Sequence, residues 1–196
     1  MKVKRVTEGD ADLVTELLVL AFFEDPTWSW AFPDEAARTE QHRRLWALCL
    51  HSSVPYDWVV MTEDGGAAAS WIPPGKPELT DEDDGEFEAL VRELPGAHVD
   101  DVLTLLERFD ANHPHEPEHF YLSLLGTHPD HRGQGKGMAL LAANLEEIDE
   151  LGMPAFLHST NRGNDHRYER YGFELIGEFA VPGGEPTVGC MWREPR

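Results

Sequence analysis

The sequence predicts an α/β domain in which helices cover both faces of a mixed β-sheet. Three observations support this: a hairpin signal near residue 65, a strand, glycine-rich turn and amphipathic helix in residues 119–151, and two strand candidates near the carboxyl end. Crossovers between neighbouring parallel strands are right-handed, which places helices on both faces. The 196 residues, 41% of them hydrophobic, suffice for one domain, which we predict to span residues 1–196.

The first quarter of the chain reads as a short strand followed by two helices. The strand lies around residues 3–6, and Asp10 is placed to cap a helix that ends near residue 24. The stretch DPTWSWAFPD (25–34) is predicted to be a loop, and a second helix covers residues 34–52. The first helix is predicted from apolar residues at helical spacing: Leu13, Leu17, Leu20 and Ala21.

A hairpin and a helical insertion come next. The turn EDGG joins a strand at 57–62 to its partner at 67–72. The acidic run DEDDGEFE, most simply a solvated helix start, opens a helical stretch to about residue 94. Pro95 and Gly96 interrupt it, and a further helix follows. We therefore predict a helical insertion at about 80–113.

The carboxyl half alternates strands and helices. A polar linker, HPHEPEH (113–119), leads into the strand FYLSLLGTHP (120–129). A helix from Gly135 to about Leu151 presents an apolar face, and Gly152 ends it. That face consists of Met138, Leu141, Leu145, Ile148 and Leu151. The remaining predicted elements are a strand at 155–159, a short helix at 164–171, and an antiparallel pair at 173–181 and 187–192.

Charge and cysteine content exclude several classes of function. Asp and Glu number 37 against 16 Lys and Arg, and the resulting net charge of -21 disfavours nucleic acid and anionic membranes as partners. It favours cationic small molecules, although acidity also serves solubility alone. Cys49 and Cys190 form no disulfide framework, and we expect a reducing cytoplasm. We expect neither a signal peptide nor a membrane span.

The stretch HPDHRGQGKG (128–137) is the strongest chemical signal. It joins a strand to a helix, its glycines let backbone N–H groups converge on one point, and the helix start adds a partial positive charge. Arg132 and Lys136 add full charges. This arrangement predicts a pyrophosphate cradle, although such turns also occur as plain tight connections. No GK[ST] or GxGxxG pattern is present, which argues against a Walker A loop or a dinucleotide fingerprint.

Three sequence motifs, in a fixed order along the carboxyl half of the chain, indicate the family that the glycine-rich stretch resembles. Arg132-x-x-Gly135-x-Gly137 follows LGTHP (125–129) and precedes YERYGF (168–173). Together they resemble the signature of the GNAT family of N-acetyltransferases, over residues 119–181, about a third of the chain. Within the family, HFYLSLLGTHPDHRGQGKG, MPAFLHST and TVGCMWREP look most like puromycin N-acetyltransferase and its relatives.

The resemblance implies a GNAT-type fold: a mixed, mostly antiparallel sheet whose central parallel strands, about 121–127 and 155–159, splay apart, with helices on both faces. It implies acetyl-CoA as co-substrate, its pyrophosphate on the N–H groups of 133–137 and its pantetheine arm along 125–127. The implied cofactor-binding residues are Leu125, Gly126, Thr127, Arg132, Gly133, Gln134, Gly135, Lys136, Gly137 and Asn164. Asn161 is a further candidate for the cofactor arm.

The implied reaction is direct attack of a small molecule's primary amine on the thioester in a ternary complex. Tyr168 occupies the family's general-acid position, and the N–H of about Leu125 would stabilise the oxyanion. The base stays open. His158 stands where relatives often carry Glu, and its alternative role is that of a hydrogen-bonded strand residue. A water chain ending at Glu24, Asp25 or His119 is another possibility.

The acceptor site is predicted from the loop after the first helix. Trp28 and Trp30 would line it, or would only staple two helices together, and Glu24 beside them suits a cationic acceptor. The linker histidines are predicted to be solvated or to enter the strand, and we expect no metal. Two rival functions remain open: a non-catalytic acyl-CoA-binding sensor and a protein or peptide N-acetyltransferase. A homodimer is compatible with the sequence.

Overall fold

The strands of the protein form one twisted sheet. A computed structural model describes residues 2–94, 96 and 98–196, and Pro95 of the predicted interruption lies outside the described residues. The strands are β1 (Val3–Arg5), β2 (Val59–Thr62), β3 (Ala67–Ile72), β4 (Phe120–Thr127), β5 (Ala155–Ser159), β6 (Glu174–Ala180) and β7 (Thr187–Arg193). Their order is β1-β2-β3-β4-β5-β7-β6, in which β4 and β5 run parallel and every other neighbouring pair is antiparallel.

Seven helices accompany the sheet in the described residues. They are α1 (Ala11–Phe22), α2 (Pro26–Ala31), α3 (Glu35–Ser53), α4 (Asp81–Arg92), α5 (His98–Ala111), α6 (Lys136–Glu150) and α7 (Asp165–Glu169). The predicted α/β class with a mixed, mostly antiparallel sheet is confirmed. The helices α4 and α5 occupy the predicted helical stretch between β3 and β4 and pack on one another, and α4 also packs on α3.

Side-chain alternation along the strands builds a core on each face of the sheet. In β2, Val59 and Met61 join the core formed with α1, α3, α4 and α5, whereas Val60 joins the core on the other face. The second core contains Leu141, Leu145 and Ile148 of α6. Helices therefore cover both faces, as predicted.

The central strands separate where the sheet meets the glycine-rich turn. Parallel pairing of β4 with β5 runs from Phe120–Ala155 to Leu122–Leu157, and the two strands part beyond that point. A bulge accompanies the separation, because Ser70 of β3 lies opposite Leu124 while the next residue lies opposite Leu122. Ser123 is the extra residue. The predicted splay of the two central strands is confirmed.

The stretch predicted as a loop between the first two helices is wrong in part, since Pro26–Ala31 forms α2. Asp25 caps this helix: its carboxylate accepts from the N–H groups of Thr27 (3.0 Å) and Trp28 (3.2 Å). Proline at the first helical position suits the helix start because its missing N–H would have no partner there. The pair Asp25–Pro26 is therefore a helix-start signal in the sequence, but the helix that follows is too short to show a helical pattern of apolar residues.

The predicted apolar faces of α1 and α6 are partly wrong. Leu13 and Leu20 of α1 are exposed, whereas Val14, Leu17 and Leu18 are buried. Leu151, which follows α6, is also exposed. Each helix contacts more than one neighbouring element. Its buried face is therefore wider than the single row of apolar positions that the sequence pattern predicts.

Candidate active site

The glycine-rich turn presents free backbone donors at the start of α6. Gly133 and Gly135 have φ values of +77° and +73°, which L side chains rarely adopt. Gly135 is the N-cap and provides no capping side chain. The first bond of the helix joins Ala139 N–H to Gly135 O (2.9 Å), so the N–H groups of Lys136, Gly137 and Met138 precede the helical ladder. This end of α6 can accept an anion.

The two cations of the turn are already held by the protein. Lys136 Nζ lies 2.6 Å from Asp64 Oδ2 and 2.7 Å from His131 Nδ1. Arg132 Nη2 donates to the carbonyl of Ala21 at 3.0 Å, near the end of α1. Both side chains line the cavity in front of the turn. Their fixed positions add positive charge there, while the free donors are the amides.

The outer half of β4 leaves backbone groups unpaired toward the splay. His128 N–H donates to Gly66 O on the β3 side at 3.0 Å. Successive peptide groups in a strand point to opposite sides, so the N–H groups of Leu125 and Thr127 point into the gap beside β5. Gly126, between them, packs so closely on α1 that a Cβ there would come within 2.9 Å of Leu18 Cδ2.

Two cavities meet at the splay. The glycine-loop cavity, about 420 Å³, lies between the end of α1, the outer half of β4 and the start of α6. The aromatic cavity, about 650 Å³, lies on the other side and reaches to α3, α5 and the segments 73–79 and 113–119. Both are lined by Phe22, Asp25, Leu125, Asn161, Asn164 and Tyr168. A group transferred from one cavity to the other would pass these residues.

Tyr168 stands at this junction on α7. Its ring packs against Phe173, with centroids 6.1 Å apart and planes at 72°. Burial raises the pKa of the Tyr168 phenol well above its usual value, and the charges of Asp25 and Asp165 add to the shift. The phenol therefore stays protonated at neutral pH and can donate a proton.

Aromatic rings and carboxylates wall the aromatic cavity. Trp28 stacks parallel to Phe109 at 6.1 Å and meets Trp46 edge-on at 5.2 Å. Among the described residues, its lining includes six carboxylates against one lysine, Lys76. The carboxylates are Asp25, Glu78, Asp84, Asp110, Glu116 and Glu118. Such a wall attracts a cation, and its ring faces can hold one.

Asp25 ties the loop after α1 to the end of β5. Besides capping α2, its Oδ2 accepts from Thr160 Oγ1 at 2.8 Å, while Thr27 Oγ1 donates to the Thr160 carbonyl at 2.9 Å. Burial raises the pKa of Asp25 despite these hydrogen bonds. Both carboxylate oxygens of Asp25 already accept hydrogen bonds from the protein, so its role is to stabilise the junction between α2 and the end of β5.

His158 lines the aromatic cavity, but its ring is packed among other aromatic rings. Its Nδ1 lies 3.3 Å from Tyr121 Oη, and its Nε2 is buried without a hydrogen-bond partner among the described residues. Phe109 and Phe156 pack edge-on against the ring at 5.0 and 4.8 Å. Burial lowers the pKa of His158 to about 3, and nearby His113 contributes. A neutral, enclosed imidazole of this kind is a weak proton acceptor.

The linker histidines are less solvated than the sequence predicts. His119 is buried, and its Nδ1–H donates to Pro117 O at 2.8 Å. Its Nε2 therefore accepts from His113 Nε2–H at 3.1 Å. Burial lowers the pKa of His113 to about 4. Both rings form part of the cavity wall.

Comparison with known proteins now gives this geometry a family. Residues 20–173 match the model of the acetyltransferase (GNAT) family. The chain belongs to the GNAT acetyltransferase family. The match covers well over half of the chain and includes both cavities' main elements, the glycine-rich turn and Tyr168. The protein is accordingly an acyltransferase.

Solved structures share the fold over the whole chain. A histone acetyltransferase HPA2-related protein from Corynebacterium glutamicum has a TM-score of 0.72 and 22% identity, covering 100% of this chain and 96% of that chain. Arylalkylamine N-acetyltransferase 2 from Aedes aegypti has a TM-score of 0.66 and 14% identity, and the match covers 100% of this chain and 99% of that chain. A polyamine N-acetyltransferase from Drosophila melanogaster, which forms N-acetylagmatine, has a TM-score of 0.63 and 21% identity. The match covers 98% of this chain and 99% of that chain.

The acetyltransferase brings most of the residues predicted for its site to the two cavities, but not all. Trp28 lines the aromatic cavity, whereas Trp30 lines neither cavity in the described structure and packs on His98 at 5.1 Å. Glu24 lines the glycine-loop cavity, away from the aromatic one. Gln134 donates to Asp130 O and braces the turn. Because residues 26–31 are helical, Trp28 and Trp30, two positions apart, point to different sides of α2, and only Trp28 faces the site.

The sequence did not predict several residues that line the aromatic cavity, among them Glu78, Phe109 and Ser123. Glu78 sits in a proline-rich connection and Phe109 in the insertion helix α5, where no local pattern indicates a site. Ser123 lies in a strand, and only the β-bulge, which the sequence does not reveal, distinguishes it from its neighbours. In the described residues, no group of three His, Cys, Asp or Glu is arranged to hold a metal ion, and no helix is long and apolar enough to cross a membrane.

Proposed function

We propose that this acetyltransferase transfers an acetyl group from acetyl-CoA to the primary amine of a small cationic molecule. The supporting observation is the meeting of two unlike cavities at Tyr168 and Leu125. One presents backbone donors for an anion, and the other presents carboxylates and aromatic rings for a cation. A donor and an acceptor bound together would meet at the splay.

The glycine-loop cavity fits acetyl-CoA, which supplies an activated acetyl thioester when bound. The N–H groups at the start of α6 have no intrahelical partner and would hold the diphosphate, beside Lys136 and Arg132. The free edge of β4 at Leu125–Thr127 would hydrogen-bond the pantetheine amides as an added strand does. Asn164, and more weakly Asn161, would also hold this arm.

The chain's own groups divide the work of transfer at the junction. The N–H of Leu125 points into the gap and would donate to the oxygen that gains negative charge. Tyr168 would donate its proton to the departing sulfur. Neither cysteine is a nucleophile: Cys49 and Cys190 are buried, and burial raises the pKa of each thiol. Direct transfer in a ternary complex follows.

The acceptor class rests on the aromatic cavity. An ammonium would be attracted by the carboxylates, and an aliphatic or aromatic body would pack against Trp28 and Phe109. Proteins of similar fold are named for arylalkylamines and for polyamines, and the motif resemblance points to puromycin. All three are amines with an apolar or cationic body, so all three belong in a substrate screen.

The aromatic walls of the cavity count against a protein or peptide acceptor, for which an open, flat groove along the surface would be expected. A pure acyl-CoA sensor has no use for a proton-donating phenol at the junction. The cavity wall therefore favours a small amine over both rivals.

A homodimer and a cytoplasmic location remain proposals. The edge strand β6 exposes Leu175 and Ile176, and its outer backbone groups can pair with a second copy. The two buried free thiols suit a reducing compartment. Light scattering at several protein concentrations tests the first proposal, and loss of association in Ile176→Lys would place the interface on β6.

Release of free thiol from acetyl-CoA, measured with agmatine, spermidine, 2-phenylethylamine and puromycin in parallel, tests the function. We expect turnover with at least one of them, and initial rates whose reciprocal plots intersect. Parallel lines would contradict direct transfer. Binding of acetyl-CoA without turnover of any amine would support the sensor function.

A further inference from the structure

A loop carboxylate and a strand hydroxyl meet beside the point where β4 and β5 part. Glu78 lies in the segment between β3 and α4, and its carboxylate accepts a hydrogen bond from Ser123 Oγ. Ser123 is the extra residue of the β4 bulge. Both line the aromatic cavity. We propose that Glu78 is the catalytic base that takes a proton from the acceptor's ammonium group, and that Ser123 positions it.

This inference rests on the proposed acetyl transfer and assigns the base that the reaction requires. An ammonium has no free electron pair, so a proton must leave before the nitrogen can attack. The accepting group must lie in the acceptor's cavity, close to the splay. Glu78 meets both conditions through its contact with Ser123.

Two of the other candidate bases, Asp25 and His158, are less available than Glu78. Asp25 already accepts from two backbone N–H groups and from Thr160 Oγ1. His158 lines the cavity, but its Nε2 atom is buried and its ring packs edge-on against Phe109. In the part of the chain that the structure describes, Glu78 accepts only from Ser123, which leaves lone pairs for an ammonium.

The surroundings of Glu78 raise its basicity. Desolvation by the cavity wall raises the pKa of Glu78, and the hydrogen bond from Ser123 opposes part of that shift. The charge of Glu78 in turn helps to hold the pKa values of Cys49 and Tyr121 well above their usual range, so both are neutral around pH 7. Asp84 of α4 and Lys76 of the same loop also line this cavity.

The proton transfer balances within these groups. One N–H bond of the ammonium breaks, its electron pair stays on nitrogen, and an O–H bond forms on the Glu78 carboxylate. Glu78 lines the cavity and the residue as a whole is exposed to solvent, so the neutral carboxyl can release its proton to water and return to the anionic form. No other reactant is needed.

Glu78→Gln tests the base directly, because glutamine keeps an oxygen for Ser123 but cannot take the proton. With the best amine of the screen, we expect kcat/KM to fall by about 10²–10⁴ and the rise of rate with pH on the acid side to disappear. Affinity for CoA, by calorimetry, should stay within about twofold. The matched control is Glu82→Gln, an exposed carboxylate four residues further along the chain that is not among the described residues lining either cavity, and it should retain wild-type rates.

Ser123→Ala separates positioning from mere structure. Loss of its hydrogen bond removes an interaction that favours the anionic form, so the acid-side rise should move to higher pH by about one unit. A rate loss with an unshifted profile would contradict the positioning role of Ser123.

Amine affinity gives a readout that needs no turnover. Binding of the same amine to the CoA-loaded protein should weaken about tenfold in Glu78→Gln and less than about twofold in the control Glu82→Gln. Wild-type turnover that is unchanged in Glu78→Gln would overturn this inference and leave the acetyl transfer standing. A wild-type protein that neither turns over nor binds any amine would overturn both.

Discussion

The two cavities that meet at Tyr168 differ in the groups that they present: one presents mainly backbone N–H groups, and the other presents side chains. The glycine-loop cavity comes mainly from one strand, turn and helix start, residues 125–138, and its proposed ligand contacts are backbone N–H groups. The aromatic cavity is assembled from side chains of at least five elements that lie far apart in the sequence. A backbone site needs glycines and a strand-to-helix junction, whereas a side-chain site depends on how distant elements pack.

This difference separates donor binding from acceptor choice. Substitutions in the turn should change affinity for acetyl-CoA and leave the choice of amine unchanged. Substitutions in the aromatic cavity should do the reverse. Tyr168, which lines both cavities, should affect the rate without affecting either affinity.

The largest effect is expected for Tyr168→Phe. Removing the proton donor should lower kcat by about 10²–10⁴ with every amine, while affinity for CoA stays within about twofold. Tyr171→Phe is the matched control, because Tyr171 packs on the same core but is not among the described residues lining either cavity. Steady-state rates and calorimetry measure the two quantities. A wild-type kcat in Tyr168→Phe would remove the tyrosine from the mechanism.

Gly135→Ala tests the backbone side of the comparison. A side chain at φ +73° costs about 1–2 kcal/mol and disturbs the amides around it, so affinity for CoA should fall about tenfold. Gly152, at the other end of α6, has φ +67° and faces neither cavity, so Gly152→Ala should lower the unfolding free energy by a similar amount without changing CoA affinity. Equal losses of affinity in both variants would mean that the turn acts only through stability.

Trp28→Ala tests the side-chain cavity. Loss of a ring that holds the acceptor should lower kcat/KM for the amine about three- to tenfold and leave CoA affinity unchanged. Trp30→Ala removes a tryptophan two residues away that packs on His98, and it should spare the kinetics. If Trp30→Ala had the larger kinetic effect, the acceptor would not occupy the aromatic cavity.

The smallest effect is expected where side-chain charge supports the turn. Lys136→Gln should weaken CoA binding by no more than about threefold, because Lys136 is already paired with Asp64 and the amides remain. The same pair holds the pKa of Asp64 well below its usual value. It therefore contributes stability above about pH 4 that is lost as the pH falls further, and Asp64→Asn should flatten that part of the pH dependence in thermal unfolding. A loss of CoA affinity as large as that of Gly135→Ala would show that charge, not the amides, holds the diphosphate.

The fold and the backbone elements of the proposed donor site were predictable from local signals. The hairpin turn at Gly65, the strand before His128 and the glycines of the turn each follow from their own backbone requirements. The helix α2 was not predicted, because six residues are too few to show periodicity and Trp28 and Trp30 were read as loop residues. The signal that the sequence does carry is the pair Asp25–Pro26, an N-cap residue followed by proline at the first helical position.

The acceptor site could be predicted only in outline. Trp28 was found because it lies in the segment after the first helix, whereas Phe109 and Glu78 reach the same cavity through the packing of α5 and of the segment before α4. His158 was selected by its position in β5, yet burial among Phe109, Phe156 and Phe179 decides its chemistry. Such surroundings are tertiary properties, which a single sequence does not display.

A crystal structure of the protein with CoA and the best amine of the screen tests the central claim most directly. We predict the diphosphate on the N–H groups at the start of α6, the sulfur in the splay beside Tyr168, and the amine in the aromatic cavity with its nitrogen toward the sulfur. A diphosphate bound away from the glycine-rich turn, or an amine outside the aromatic cavity, would contradict the account.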